Sequence, residues 1–128
     1  MAKLAKTLAL PKEGEMVTMP NCDLTQKRCV PCEGGIPALT ETEAKALMAK
    51  VPQWRLVGNQ IEREIQFENF LQNMAFVNAV ADIAEEEGHH PDILIHHYNQ
   101  LKITLWTHAV KGLTENDFIL AAKIDELR

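Results

Sequence analysis

The chain has 128 residues, with 13 Lys and Arg against 18 Asp and Glu, giving a formal charge of −5 with histidine neutral. That is the length of one domain, and 46% hydrophobic with 24% charged residues is ordinary globular composition, which excludes a disordered or fibrous chain. No run approaches the ~20 apolar residues of a membrane span, and the acidic balance lacks the basic footprint of direct nucleic-acid binding, so a soluble, cytoplasmic protein is expected.

Residues 1–38 hold Pro11, Pro20, Pro31, Pro37, Gly14, Gly34 and Gly35 and no sustained apolar period, the pattern of tail and loop. Lys3 and Lys6 lie in an apolar stretch too short and too interrupted for a secretory signal; an organelle-targeting tail stays open beside the disordered, cytosolic tail expected from Pro11, Glu13, Gly14 and Glu15. Cys22, Cys29 and Cys32 are odd in number and cannot all pair within one chain, which suits a reducing compartment. Three readings stay open for them: a redox pair at Cys29 and Cys32, half of a metal site with Cys22, or a reduced structural loop.

Thr40 with Glu43 makes a capping box for a first helix carrying Ala44, Leu47 and Met48 and ending before Pro52. Trp54, Leu56, the Gly58-Asn59 turn, and Ile61, Arg63, Ile65 and Phe67 alternating with Glu62, Glu64 and Gln66 predict a hairpin whose second strand has one wet face. Asn69 caps a long helix with Phe70, Met74, Val77, Val80, Ala81 and Ala84 on its apolar side and Gly88 as its stop. Ile93 to Tyr98 and then Leu101, Ile103 and Leu105 give a second pair of strands, with His96 and His97 on opposite faces. Thr114 and Asp117 start a final helix with Phe118, Ile119, Ala122, Ile124 and Leu127. The fold class is therefore α+β, a four-stranded antiparallel sheet with helices packed on one face. Tyr98 and Trp106 read as packing residues, Trp106 also as a mark of subunit contact.

Histidines supply the compositional oddity: His89, His90, His96 and His97 lie close together, with His108 after them. Several imidazoles at one site suit proton transfer near neutral pH or metal ligation. One Cys-x-x-Cys without a second half is a weak zinc signal. His89 and His90 follow the C-terminus of the long helix, where the macrodipole favours positive charge, and Pro91 biases His90 to an extended backbone that points the two rings apart.

Glu85, His89-His90-Pro91, Tyr98, His108 and Asp117, in that spacing, resemble the signature of the pterin-4a-carbinolamine dehydratase family. Trp54-Arg55-Leu56-Val57, Ile103-Thr104-Leu105 before Thr107-His108, and Gly112-Leu113-Thr114-Glu115 extend the likeness, and similar bacterial and plant members carry Cys29-Val30-Pro31-Cys32-Glu33-Gly34-Gly35. The resemblance covers residues 29–128, leaving 1–28 as a flexible tail, and implies dehydration of 4a-hydroxytetrahydropterin to quinonoid dihydropterin without cofactor or metal. It makes His89, His90 and His108 the catalytic set, with Glu85, Pro91 and Asp117 supporting them or binding substrate. It also implies a homodimer or homotetramer, and admits a protein partner through a non-catalytic binding or assembly role on the same fold. Ile93 departs from the aromatic residue usual at that place, which puts ring stacking there in question.

Overall fold

The computed structural model describes residues 24–30 and 37–127. Cys22, Cys32 and the start of the expected tail lie outside the described residues. The elements run α1 (Glu41–Met48), β1 (Arg55–Val57), β2 (Gln60–Gln66), α2 (Phe70–Glu87), β3 (Asp92–His96), β4 (Gln100–Leu105) and α3 (Glu115–Asp125). The four strands form one antiparallel sheet in the order β1-β2-β4-β3, as the sequence predicts for an α+β chain of two hairpins and three helices.

Helix ends sit where their side chains can satisfy the backbone. The Thr40 hydroxyl accepts the Glu43 amide at 3.1 Å while the Glu43 carboxylate accepts the Thr40 amide at 2.8 Å, the reciprocal capping box. Asn69 caps α2 by accepting the Gln72 amide at 2.8 Å. At the other end of α2 Gly88 takes φ 68°, ψ 26°, a left-handed stop that costs a residue with a Cβ about 1 kcal/mol.

Pairing of β2 with β4 aligns Ile61 with Leu105, Arg63 with Ile103 and Ile65 with Leu101. These six are buried on the helix-covered face. Behind them α3 is buried nearly all round, from Asn116 to Ala122 and at Ile124. Such a helix is core rather than an amphipathic cover. Leu24, inside the expected tail, is also buried in this core.

Arg63 stands on the apolar face because its charge is answered there. Its Nη1 lies 2.6 Å from Asp125 Oδ1, which also accepts the Trp54 indole N–H at 2.9 Å. Burial raises the Asp125 carboxyl above its ordinary value, and the Trp54 and Arg63 hydrogen bonds hold that rise in check.

The structure corrects several local expectations. Glu62, on the side expected to be wet, is only 5% exposed because Arg55 and Lys102 both close over its carboxylate. The buried stripe of α2 is Asn73, Phe76, Val80, Ala84 and Glu87, rotated from the predicted one, which leaves Phe70 exposed. The third strand stops at His96: His97 and Tyr98 take φ of 50° and 54° in the turn to β4. His96 and His97 therefore do not alternate on a strand but meet through their Nδ1 atoms at 2.8 Å, and Tyr98 is exposed rather than packed.

Replacing Arg63 with Met strands the Asp125 carboxylate in its half-buried site. We expect Arg63→Met to lose about 3 kcal/mol of unfolding free energy in urea. Adding Asp125→Asn removes the stranded charge and should recover part of that loss.

Candidate active site

The two turns that follow α2 and β4 bring the histidines together. The left-handed Gly88 reverses the chain, and the Gly88 and His89 amides both bond back to the Ala84 carbonyl, at 2.8 and 3.3 Å. His89 is thereby aimed inward against α3, while His90 turns outward. Its Nε2 meets Glu85 at 2.7 Å, but both side chains are well exposed, 60% and 78%, so this pair is a weak one in water.

His108 is carried by a closed loop. Thr107 and Gly112 form a two-bond bridge, with N–H to O distances of 2.8 and 3.3 Å. A Cβ at Gly112 would lie 3.0 Å from the Ala38 Cβ, a tight contact that a side chain there would meet only if the Ala38 segment gave way by a few tenths of an ångström. Asn59 ties the loop to the β1–β2 turn by donating to the Lys111 carbonyl at 2.9 Å. The His108 ring packs against Trp106 at a tilt of 37°, ring centres 4.1 Å apart, and the Trp106 indole N–H reaches Asp92 at 3.4 Å.

Asp117 joins the two turns. It is completely buried, and its Oδ1 lies 2.6 Å from His89 Nε2. Its Oδ2 accepts the Thr114 amide at 3.0 Å and the Thr107 hydroxyl at 2.9 Å. Since Thr107 spends its only hydroxyl proton on Asp117, the Thr114 hydroxyl donates to Thr107 across their 2.9 Å contact. One carboxylate thus caps α3, anchors the loop before His108 and orients His89. An ionised carboxylate can only accept, so His89 carries its proton on Nε2 and the neutral ring keeps its lone pair on Nδ1.

These groups border one pocket of about 380 Å³, lined by His89, His90, Pro91, Trp106, Thr107 and His108 among others. All three sequence-predicted histidines and Pro91 line it; Asp117 lies behind His89, and Glu85 touches the rim through His90. Ile93 does not line it. It sits on β3 opposite Ile103, and the large aromatic wall is Trp106, expected from sequence to be a packing residue. Val30 and Asn116 also line the pocket, and sequence reading missed both. No group of three or more His, Cys, Asp or Glu side chains among the described residues is placed to hold a metal ion. No helix among them is long and apolar enough to cross a membrane.

The family model for pterin 4 alpha carbinolamine dehydratase matches residues 37–127. A Nitrosomonas eutropha protein provisionally named pterin-4-alpha-carbinolamine dehydratase is 50% identical over 107 residues, covering 83% of this chain and 94% of that protein. The mitochondrial pterin-4-alpha-carbinolamine dehydratase 2 of Arabidopsis thaliana is 48% identical over 111 residues, covering 83% of this chain and 59% of its own. Among solved structures, a transcriptional coactivator/pterin dehydratase from Brucella melitensis superimposes with a TM-score of 0.66 at 32% identity, over 70% of this chain and 97% of that one. A pterin dehydratase-like protein identified as a RuBisCO assembly factor in the alpha-carboxysome gives 0.50 at 32% identity, over 59% and 88%. With a family match over most of its length and relatives at half identity, the chain belongs to the pterin-4-alpha-carbinolamine dehydratase family.

Proposed function

We propose that the chain dehydrates 4a-hydroxytetrahydropterin to quinonoid dihydropterin and water, the step that returns an oxidised pterin to the recycling route of aromatic amino-acid hydroxylation. The observation that carries this reading is a single pocket bordered by three imidazoles, one of them bonded to a buried carboxylate. The elimination takes a proton from a ring nitrogen, whose electron pair becomes the new C=N bond as the carbinolamine C–O bond breaks. The departing hydroxyl takes a second proton and leaves as water. One base and one acid matched to neutral pH are required, and imidazoles are suited to both tasks.

The environments of the rings support a division of labour. His89 holds its Nε2 proton against Asp117, so an imidazolium formed by proton capture at Nδ1 gains a buried counter-charge, which suits a base. His108 has no hydrogen bond to its ring among the described residues and faces the pocket beside Trp106, which suits the acid that meets the departing hydroxyl. His90, exposed at the rim beside Glu85, is a substrate-side contact or a second proton carrier. Exposed Phe70, Leu71 and Leu127 favour a homo-oligomer as the working form, in which a partner copy would cover them.

In a dehydration assay, His89→Ala and His108→Ala should each lower kcat by about 100- to 10,000-fold with the fold retained. A wild-type chain without dehydratase activity, or histidine variants as active as wild type, would overturn the reading and turn attention to a binding or assembly role. In Asp117→Asn the three donors around the side chain meet one oxygen and one amide instead of two oxygens. The expected result is a stability loss of about 2 kcal/mol in urea unfolding, with a fall in kcat that exceeds any change in KM as His89 loses its tautomer. Light scattering on the purified protein should give a mass that is a multiple of the chain mass; a monomer would remove the oligomer from the proposal.

A further inference from the structure

Ahead of the family-matched stretch, residues Lys27 to Val30 lie as a strap against the ends of α2 and α3, held by the side chains of Lys27 and Arg28 on Glu115, Glu86 and Glu87 and by the main chain of Cys29 and Val30. The Cys29 amide donates to Glu87 Oε1 at 2.9 Å. Val30 is held from both sides by one side chain: its amide donates to Asn116 Oδ1 at 3.0 Å, and Asn116 Nδ2 donates to its carbonyl at 2.6 Å. Both anchors are themselves buried. Glu87, on the last turn of α2, is clamped from α3 by Lys123 Nζ at 2.6 Å, with Arg28 Nε at 3.6 Å on the same oxygen.

The electrostatics are those of a built anchor. Burial alone would raise the Glu87 carboxyl, but the Lys123 hydrogen bond, the Cys29 amide and the charges of Lys123 and Arg28 bring it below the ordinary value. The Cys29 thiol beneath the strap is pushed up to about 12 by burial first and then by the charge of Glu87. A buried carboxylate that is paired and hydrogen-bonded serves to fix what it touches, since an unpaired one would be costly there.

What the anchor fixes is Val30. Its backbone is bonded on both sides, yet the residue is 55% exposed, and it faces the pocket that holds His89, His90, Trp106 and His108. Val30 and Asn116 also border a neighbouring hollow of about 410 Å³ with Lys27 and Arg28, so the strap is the partition between the two. An apolar side chain on an anchored backbone, open to solvent and set beside polar groups, is the ordinary make-up of a ligand-facing wall.

We propose that Val30, held in place by the strap Lys27–Val30, is a wall of the pterin pocket and a specificity-determining contact for the bicyclic ring, and that Lys123 is a positioning residue acting through Glu87. The inference rests on the dehydratase reading. It adds to the site a segment outside the family-matched residues 37–127.

The test uses the full chain with Cys22→Ser and Cys32→Ser, so that labelling by a disulfide reagent reports Cys29 alone. Steady-state dehydration is measured in parallel with 4a-hydroxytetrahydrobiopterin. Val30→Ala should raise KM about fivefold, kcat staying within about twofold, without speeding Cys29 labelling. Lys123→Met, remote from the pocket lining, should raise KM in the same way and speed labelling about tenfold as the strap loosens, and Lys123→Arg should restore both. If Val30→Ala leaves KM unchanged, or if Lys123→Met frees Cys29 while KM stays put, the strap is structural only and the inference is overturned with the dehydratase reading intact. Absence of turnover in the parent chain would instead defeat the dehydratase reading and the pterin wall with it, while the labelling rates would still show whether the strap is docked.

Discussion

The structure turns on the hydrogen bonds of Asp117. A carboxylate with no exposure is tolerable only when each oxygen is satisfied, and here the satisfying donors come from three places in the chain: the α3 N-terminus, the loop after β4, and the turn after α2. Removing any one of these elements leaves the carboxylate short of a donor. Folding energy and site geometry are therefore coupled. The carboxylate that caps α3 through Oδ2 is the same one that meets His89 through Oδ1.

The neighbouring acid residues show how burial sorts chemically identical side chains. Glu85 and Glu87 sit two positions apart at the end of α2, on different sides of the helix. Glu87 is turned inward and meets Lys123, Arg28 and the Cys29 amide; Glu85 is turned outward and meets His90 in water. Water screens the second pair, so it contributes little to stability. The first pair is dry and well bonded, and it fixes the strap that carries Val30. His89 and His90 divide in the same way: adjacent in sequence, one is locked to a core carboxylate and the other left at a solvated rim.

Local signals in the sequence carried most of the fold. Capping at Thr40 and Asn69, the stop at Gly88, and the period-two alternation through Ile61–Ile65 and Leu101–Leu105 depend on nearest neighbours, and each is where the spacing placed it. Errors arose where a distant partner changes the meaning of a residue. Glu62 has the spacing of a wet face until Arg55 and Lys102 close over it, and the buried stripe of α2 takes in a polar residue, Asn73, whose amide donates to the Tyr98 and Gln100 carbonyls. The turn at His97 and Tyr98 was unreadable because neither residue advertises the left-handed backbone it adopts.

The site divides along the same line. His89, His90, His108 and Asp117 were named through the family resemblance, which rests on restricted residue types at fixed spacings, and the structure brings the three rings to one pocket with Asp117 behind His89. Pocket walls are not restricted in that way. Trp106 alternates like a strand residue, Val30 lies between two cysteines that attract all the attention, and Asn116 reads as an unremarkable first-turn polar residue. Nothing in their types announces a binding surface; only the register of β4 and the Asn116 bridge to the Val30 backbone bring them to the histidines. The pocket in this chain is thus assembled from two kinds of position, one restricted in residue type and one fixed by packing. The second kind is where members of a shared fold are free to differ in what they bind.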